Sequence, residues 1–302
     1  MPLFHRHSED EKQHEAEMMA EQQASISALQ AGGIPVAARR RLEEAREQKR
    51  PFFTSDLTVA EFALARQAGV QPISQVMGSS VYHIGWQYMQ SWGGSGELQT
   101  ISQAYNHARQ LALGRMTQEA ELAGANAVIG VHILSGRLGE GKMIEFHAIG
   151  TAVHVTGVAP GATPGLTNLS GQDFWALLQA GYWPVGVAAG TTVYHVVPTW
   201  GTQWAMGGMG GWYNQELTDF TQGLYTARAI AMARVSSEAR EHGASGIVGV
   251  VIEQEQEEYE VNQGNNSSRT DMIFTFHVIG TAVIERDVSR RPLVQPVLKL
   301  NR

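Results

Sequence analysis

Cysteine is absent from all 302 residues, so neither a disulfide nor a thiolate metal site can form. Basic residues are in the minority, 22 Lys and Arg against 29 Asp and Glu, and a formal charge of -7 argues against a nucleic-acid backbone as partner. No uninterrupted apolar run of about twenty residues occurs, which predicts no transmembrane segment. Residues 1–50 lack the apolar core of a signal peptide, so the expected compartment is the cytoplasm. Catalytic signatures are missing too. Glycine-rich stretches precede two helical patterns, yet neither contains Gly-Lys-Ser/Thr or the dinucleotide spacing with its later acid. No nucleophile, base and orienting acid stand at a spacing that names a reaction, so the chain is expected to be no enzyme and to need no organic cofactor.

What the sequence does contain, it contains twice. Phe146-His147-Ala148-Ile149-Gly150-Thr151-Ala152-Val153 returns as Phe276-His277-Val278-Ile279-Gly280-Thr281-Ala282-Val283, identical at seven of eight positions. From Leu57 to His83 the first copy also matches Leu169 to His195 without a gap, at an offset of 112. Such a repeat predicts two units of one design. Thr58 with Glu61, and Ser170 with Asp173, have the spacing of a helix-capping box, while Gly69 and Gly181 suit the left-handed stop of a short helix, with Pro72 and Pro184 beyond it. Strands rich in Val, Tyr and Ile are expected at 79–88 and 191–197. A glycine-rich loop follows each, the second carrying Trp200, Trp204, Met206, Met209, Trp212 and Tyr213. The longest helix of each copy comes next: Leu98, Ile101, Tyr105, Ala108, Ala112, Met116 and Ala120 recur at three and four residues, as do Leu217, Phe220, Leu224, Ala227 and Ala231. One apolar stripe per helix is thus predicted to pack on a sheet. Short apolar runs at 127–131 and 247–251 then lead through a hairpin, longer in the second copy, to the repeated strand.

Residues 1–50 hold 17 charged residues, 8 basic and 9 acidic, and form a solvated arm whose composition favours two helices broken at Gly32-Gly33-Ile34-Pro35. With few apolar positions, the arm is expected to be exposed, or ordered only by contact with another subunit. His5, His7 and His14 read as part of a hydrated tail. The divisions expected are 1–50 arm, 56–156 first repeat, 157–167 linker, 168–286 second repeat and 287–302 extended tail.

Gly93 and Gly94, Tyr105, Ala108-Arg109, Met116, Glu119-Ala120, Gly124-Ala125-Asn126-Ala127, Gly130-Val131, Glu145 and Gly150-Thr151-Ala152-Val153 follow one another in an order that resembles the YbjQ family, small bacterial proteins described as heavy-metal-binding. Gly210 and Gly211, Tyr225, Ala227-Arg228, Glu238-Ala239, Gly243-Ala244, Gly249-Val250 and Gly280-Thr281-Ala282-Val283 carry the resemblance in the second copy, which departs from it at Val235, Ser245-Gly246 and Thr275. The resemblance implies an α+β fold similar to dodecin, in which one helix lies on a three-stranded antiparallel sheet (β-α-β-β) and subunits close into a five-membered ring. The expected molecule is a tandem duplication of that unit, each copy preceded by a capped helix, assembling into a ring of identical chains, a pentamer with ten pseudo-equivalent domains. Bare sheet edges give the physical reason for such closure.

Two kinds of site compete. His83, His195, His147 and His277 occupy repeated strand positions, and with Glu145, two residues before His147 on the same strand face, they are the candidate ligands for a transition metal. The alternative is that each imidazole fills or caps the sheet with a hydrogen bond. Arg109 with Glu119, and Arg228 with Glu238, stand ten residues apart on their helices, too far to pair within one, and are read as interface residues toward a neighbouring subunit. Trp200, Trp204 and Trp212 are the candidates for an apolar partner surface, against packing within the chain. Glu253 to Glu260 are read as a solvated, protruding hairpin rather than a cation collector. The function expected is an oligomeric scaffold or binding protein, with metal binding as the rival and an enzyme with an intersubunit pocket as a distant third.

Overall fold

Each copy opens with a short capped helix. The computed structural model describes residues 9–48, 52–84, 94–138, 143–158, 163–207, 213–264 and 267–286. Helix α3 (Val59–Gln67) begins at Thr58, whose hydroxyl accepts from the Glu61 amide while the Glu61 carboxylate accepts from the Thr58 amide, a complete capping box. Its counterpart α5 (Gly171–Gln179) has half of this: Ser170 accepts from the Asp173 amide at 3.1 Å, and the Asp173 carboxylate binds the Ser170 hydroxyl instead of its backbone. Gly69 and Gly181 end the two helices at φ of 75° and 80°, the left-handed region.

The chain then runs straight into long strands, β1 (Val70–His83) and β6 (Tyr182–Val196). They start nine residues earlier than the expected 79 and 191, because Pro72 and Pro184 do not break them. Each proline sits at a register shift, where the lost amide interrupts no ladder bond. Helix α4 (Gln99–Leu122) follows β2 (Gly96–Glu97), and α7 (Thr218–Glu241) is its equivalent, of the same 24-residue length and offset by 119. That offset sets Tyr225 against Asn106, not against Tyr105. The hairpins are β3 (Ala127–Leu138) with β4 (Met143–Val155), and β7 (Gly246–Gly264) with β8 (Ser267–Glu285).

Both sheets have the order first strand, last strand, middle strand: β1-β4-β3 and β6-β8-β7, all antiparallel. Each sheet gains one short strand from the other copy's side of the chain. Residues expected to be linker supply β5 (Gly165–Leu166), parallel to β3, and β2 of the first copy pairs with β6 of the second. The helices press onto their sheets through small residues. A Cβ on Gly78 would stand 1.9 Å from the Ala112 carbonyl oxygen, and one on Gly190 2.6 Å from that of Ala231, so strand and helix backbones approach directly. Ala108, Ala112, Met116 and Ala120 of α4 are fully buried, as are Ala227, Ala231 and Val235 of α7.

Two expectations are corrected. Residues 200–213 do not form a glycine-rich loop throughout, because Trp200–Gly207 is a helix, α6. The arm is exposed over most of its length but is not ordered only by another subunit: α1 (Glu9–Gln30) and α2 (Val36–Glu47) form with the break at Gly32-Gly33, α2 contacts α4 of the same chain, and Ile34 and Leu42 are buried. Leu42 and Ile34 suffice because the arm borrows a core instead of building one. His14 lies on exposed α1, whereas His5 and His7, Trp212 and the tail at 287–302 lie outside the described residues. Among the described residues no helix is long and apolar enough to cross a membrane.

Candidate functional site

The densest polar site lies where α4 of the first copy crosses the free edge of β6 in the second. An edge strand presents unpaired amides and carbonyls, and here alternate residues are answered one after another. Leu98 donates to the Val193 carbonyl at 2.8 Å, and the Ser102 hydroxyl accepts from the Val193 amide at 2.9 Å. Asn106 binds Thr191 both ways, accepting from its amide and donating to its carbonyl, each at 2.9 Å. At Ala189 the Glu238 carboxylate accepts from the amide at 2.7 Å, and Arg109 Nη2 donates to the carbonyl at 2.8 Å. Arg234 Nη1 completes the set, bonding the Thr191 carbonyl at 2.9 Å and pairing with Glu97 of the first copy at 2.6 Å.

Arg109 and Glu238 therefore meet each other, at 3.6 Å, rather than a neighbouring subunit. Arg109 is 4% exposed. Burial lowers its pKa and the Glu238 carboxylate opposes that, so the charge is held by its carboxylate and carbonyl partners. Its Nη1 also reaches Thr191 Oγ1 at 3.2 Å, and Thr191 Oγ1 lies 3.0 Å from His277 Nδ1. The Thr191 hydroxyl thus links the Arg109 guanidinium to the imidazole, whose Nε2 is buried without a hydrogen-bond partner. Burial, then Arg109 and Arg137, push the His277 pKa down to about 4, and Tyr105 of the first copy packs on the ring at 5.4 Å. Arg137 adds a bond to the Tyr105 hydroxyl and a close ion pair with Glu257. Apolar contact is continuous, since Val187 and Val193 of the second copy belong to the core built on α4.

The same acceptor surface exists on the first copy without a second domain against it. Glu119 accepts from the Met77 amide at 3.0 Å, as Glu238 does from Ala189, and Arg115 Nη1 donates to the Ser79 carbonyl at 2.5 Å, as Arg234 does to Thr191. Glu119 is 6% exposed, and burial raises its pKa against the Met77 amide and Arg41. The donor surface recurs on the second copy as Leu217, Thr221 and Arg228, with Tyr225 at the position of Asn106. Arg228, the counterpart of Arg109, is exposed and makes no ion pair among the described residues, and Tyr225 is 66% exposed.

Of the candidate metal ligands only Glu145 and His147 come together. His83 is exposed at the end of β1, while His195 is buried and bonded at 2.8 Å to Asp271, itself held by Arg269. His147 and His277 bond Ser79 and Thr191, the equivalent hydroxyls of their sheets, at 2.9 and 3.0 Å. Glu145 lies beside His147 at 3.6 Å, and Thr275 takes the acid's place in the second copy. Among the described residues no group of three or more His, Asp or Glu is placed to hold a metal ion. Trp200 and Trp204 are 78% and 50% exposed on α6, and Glu253 to Glu258 are exposed on β7.

Sequence reading did not find Asn106, Ser102, Arg115 and Arg234, all in the machinery of the joint. Asn106, a weak helix former within a helix rich in Ala, Leu and Gln, was the available signal. The buried Asp271 sits in a polar hairpin and gave none.

The architecture defines an α+β protein of two like units, the helix of one clamped between two sheets. A family model described as "Putative heavy-metal-binding" (YbjQ) matches residues 54–156 and 202–286, and the chain belongs to this family as two tandem copies. The encapsulin nanocompartment protein Rv1762c of Mycobacterium tuberculosis is 39% identical over 229 residues, 74% of this chain and 84% of that protein. Shorter relatives match as well: a UPF0145 protein of Clostridium perfringens is 47% identical over 58 residues, 19% of this chain, and one of Methanoregula boonei 45% over 69 residues, 23% of this chain. The chain spans little more than half of these two, 54% and 57% of their lengths.

Proposed function

We propose that this protein is a non-enzymatic, homo-oligomeric scaffold whose chains join head to tail as its two copies join within one chain. One observation carries the reading: the charged and hydroxyl groups of each half of the internal joint recur, Arg228 and Thr221 on the second copy and Glu119 and Arg115 on the first, with Tyr225 where Asn106 stands in α4. The donor half is α7 with Arg228 and Thr221, offset by 119 from Arg109 and Ser102. The acceptor half is the outer face of β1 and β4 with Met77, Ser79, Val81 and Glu119. Met77 and Val81 are 49% and 61% exposed, while their counterparts Ala189 and Val193 are 3% and 2% exposed under α4. Docking the two halves would bury the apolar patch at Met77 and Val81.

A contact of this kind is heterologous, and it closes into a ring when the rotation per unit divides a full turn. The ring proposed is of five chains, so that ten pseudo-equivalent units, at 56–156 and 168–286 of each chain, follow one another around it. The name of the Mycobacterium tuberculosis relative, a nanocompartment protein, agrees with a life in an assembly. Exposed Trp200 and Trp204 on α6 are the surface offered to a further protein partner.

Native mass spectrometry of tag-free protein, before and after chelation, tests the reading. The expected result is a mass five times that of one chain, reduced to single chains by Arg228→Glu. An oligomer indifferent to Arg228→Glu overturns head-to-tail joining. Metal retained in fixed ratio to chains would instead make Glu145 and His147 ligands completed by another chain.

A further inference from the structure

The acceptor surface of the first copy is not bare in the single chain. Where the internal joint sets Arg109 against Glu238, the arm sets Arg41 against Glu119, at 3.4 Å. Where the joint sets the Glu97 carboxylate against Arg234, the arm turns its backbone toward Arg115: Nη2 donates to the Leu29 carbonyl at 3.0 Å and Nε to that of Gly33 at 3.1 Å. Gln118 adds a bond to the Gly32 carbonyl at 3.3 Å. The two charged groups that a neighbouring domain would satisfy are thus both satisfied by residues 29–41 of the same chain.

From this we infer that the N-terminal arm and the second copy of a neighbouring chain compete for one surface, so that α2 caps the first copy until Arg228 and Glu216 of the next chain displace it. Glu216 precedes α7 as Glu97 precedes α4, by the same offset of 119, and so would meet Arg115 as Glu97 meets Arg234. The inference rests on the head-to-tail reading above and adds what regulates it.

The arm is built as a placeholder. It answers the polar edge yet leaves the apolar face open: a cleft of about 960 Å³ remains between Ile34, Ala38 and Arg41 on one side and Met77, Val81 and Ile149 on the other. Arg41 is 64% exposed, so water screens its pair with Glu119, whereas Arg109 is 4% exposed in its equivalent place. Apart from Ile34 and Leu42, little of the arm is buried. A neighbouring α7 would bury the open apolar face as well, and that difference favours exchange.

Full-length Leu42→Asp and Arg41→Glu variants test this by sedimentation velocity over a protein concentration series, together with hydrogen exchange in residues 36–47 of the wild type. Both variants should lower the concentration at which half the chains are assembled, Leu42→Asp by about tenfold or more, since a buried leucine anchors the arm. The amides of α2 should exchange faster in assembled wild type than in dilute single chains. An assembly that Arg228→Glu abolishes while Leu42→Asp and Arg41→Glu leave its midpoint unmoved overturns the competition alone, as does an α2 equally protected in both states. If neither wild type nor arm variants assemble at any concentration, head-to-tail joining itself fails, and the competition with it.

Discussion

β1 and β6 are the same strand twice over, yet they live in different surroundings. Gly78 and Gly190 bring each against the backbone of its own helix, and Ser79 and Thr191 each hold a histidine of the repeated strand. On the outer face Ala189 and Val193 are buried under the other copy's helix, while Met77 and Val81 stand exposed beside the arm. The difference teaches that the inner face of the unit is set by its own helix, and that the outer face waits for a neighbour. A single copy is therefore an incomplete layer, in the sense that a sheet with one covered face still carries an apolar face and an edge.

The sharpest way to break the comparison is to truncate the two equivalent arginines. Arg109→Ala strands Glu238 and the Ala189 carbonyl in a buried joint and should cost about 3–5 kcal/mol in urea unfolding of dilute protein. Arg228→Ala should leave that single-chain stability unchanged and act on assembly alone. Equal losses from both would show that the copies do not differ as described.

Next in size is a pH dependence confined to the second copy's joint. His277 titrates near 4 when folded, against its ordinary value of 6.5. As pH falls from 6.5 toward 4 the unfolded chain takes up a proton that the folded chain refuses, so the contribution vanishes above this window and destabilises within it. The loss should approach about 3 kcal/mol at the acid end. His277→Gln should flatten the fall in stability between pH 7 and pH 5; an unaltered slope would remove His277 as its source.

The smallest effect separates the two capped helices. Thr58→Ala removes a complete capping box and should cost about 1 kcal/mol, and Ser170→Ala, which breaks only half of one, should cost less. Thermal unfolding of both single variants ranks them, and a reversed order would contradict the difference in cap geometry.

Local chemistry was readable wherever a residue acts on its own neighbours. The caps at Thr58 and Ser170, the glycine stops at Gly69 and Gly181, the helix stripe through Ala108, Ala112 and Met116 and the two-copy plan all depend on contacts close in sequence or on repetition. Pairing of Glu145 with His147 was legible for the same reason, as two residues on one strand face. The role of Arg109 was visible only as an unsatisfied charge. Its partner lies 129 residues away, and nothing in the spacing distinguishes a second copy from a second chain.

The sequence by itself determined that this protein is a duplicated α+β unit without thiolate chemistry, because capping, periodicity and repetition are properties of neighbouring residues. Tertiary structure decided which face of each unit is covered, that β5 and part of the joint come from residues resembling a linker, and that the arm folds onto its own chain. Those outcomes depend on which bare edge and which buried charge find each other across the fold, and an edge strand or an unpaired arginine carries no record of its partner until the packing supplies one.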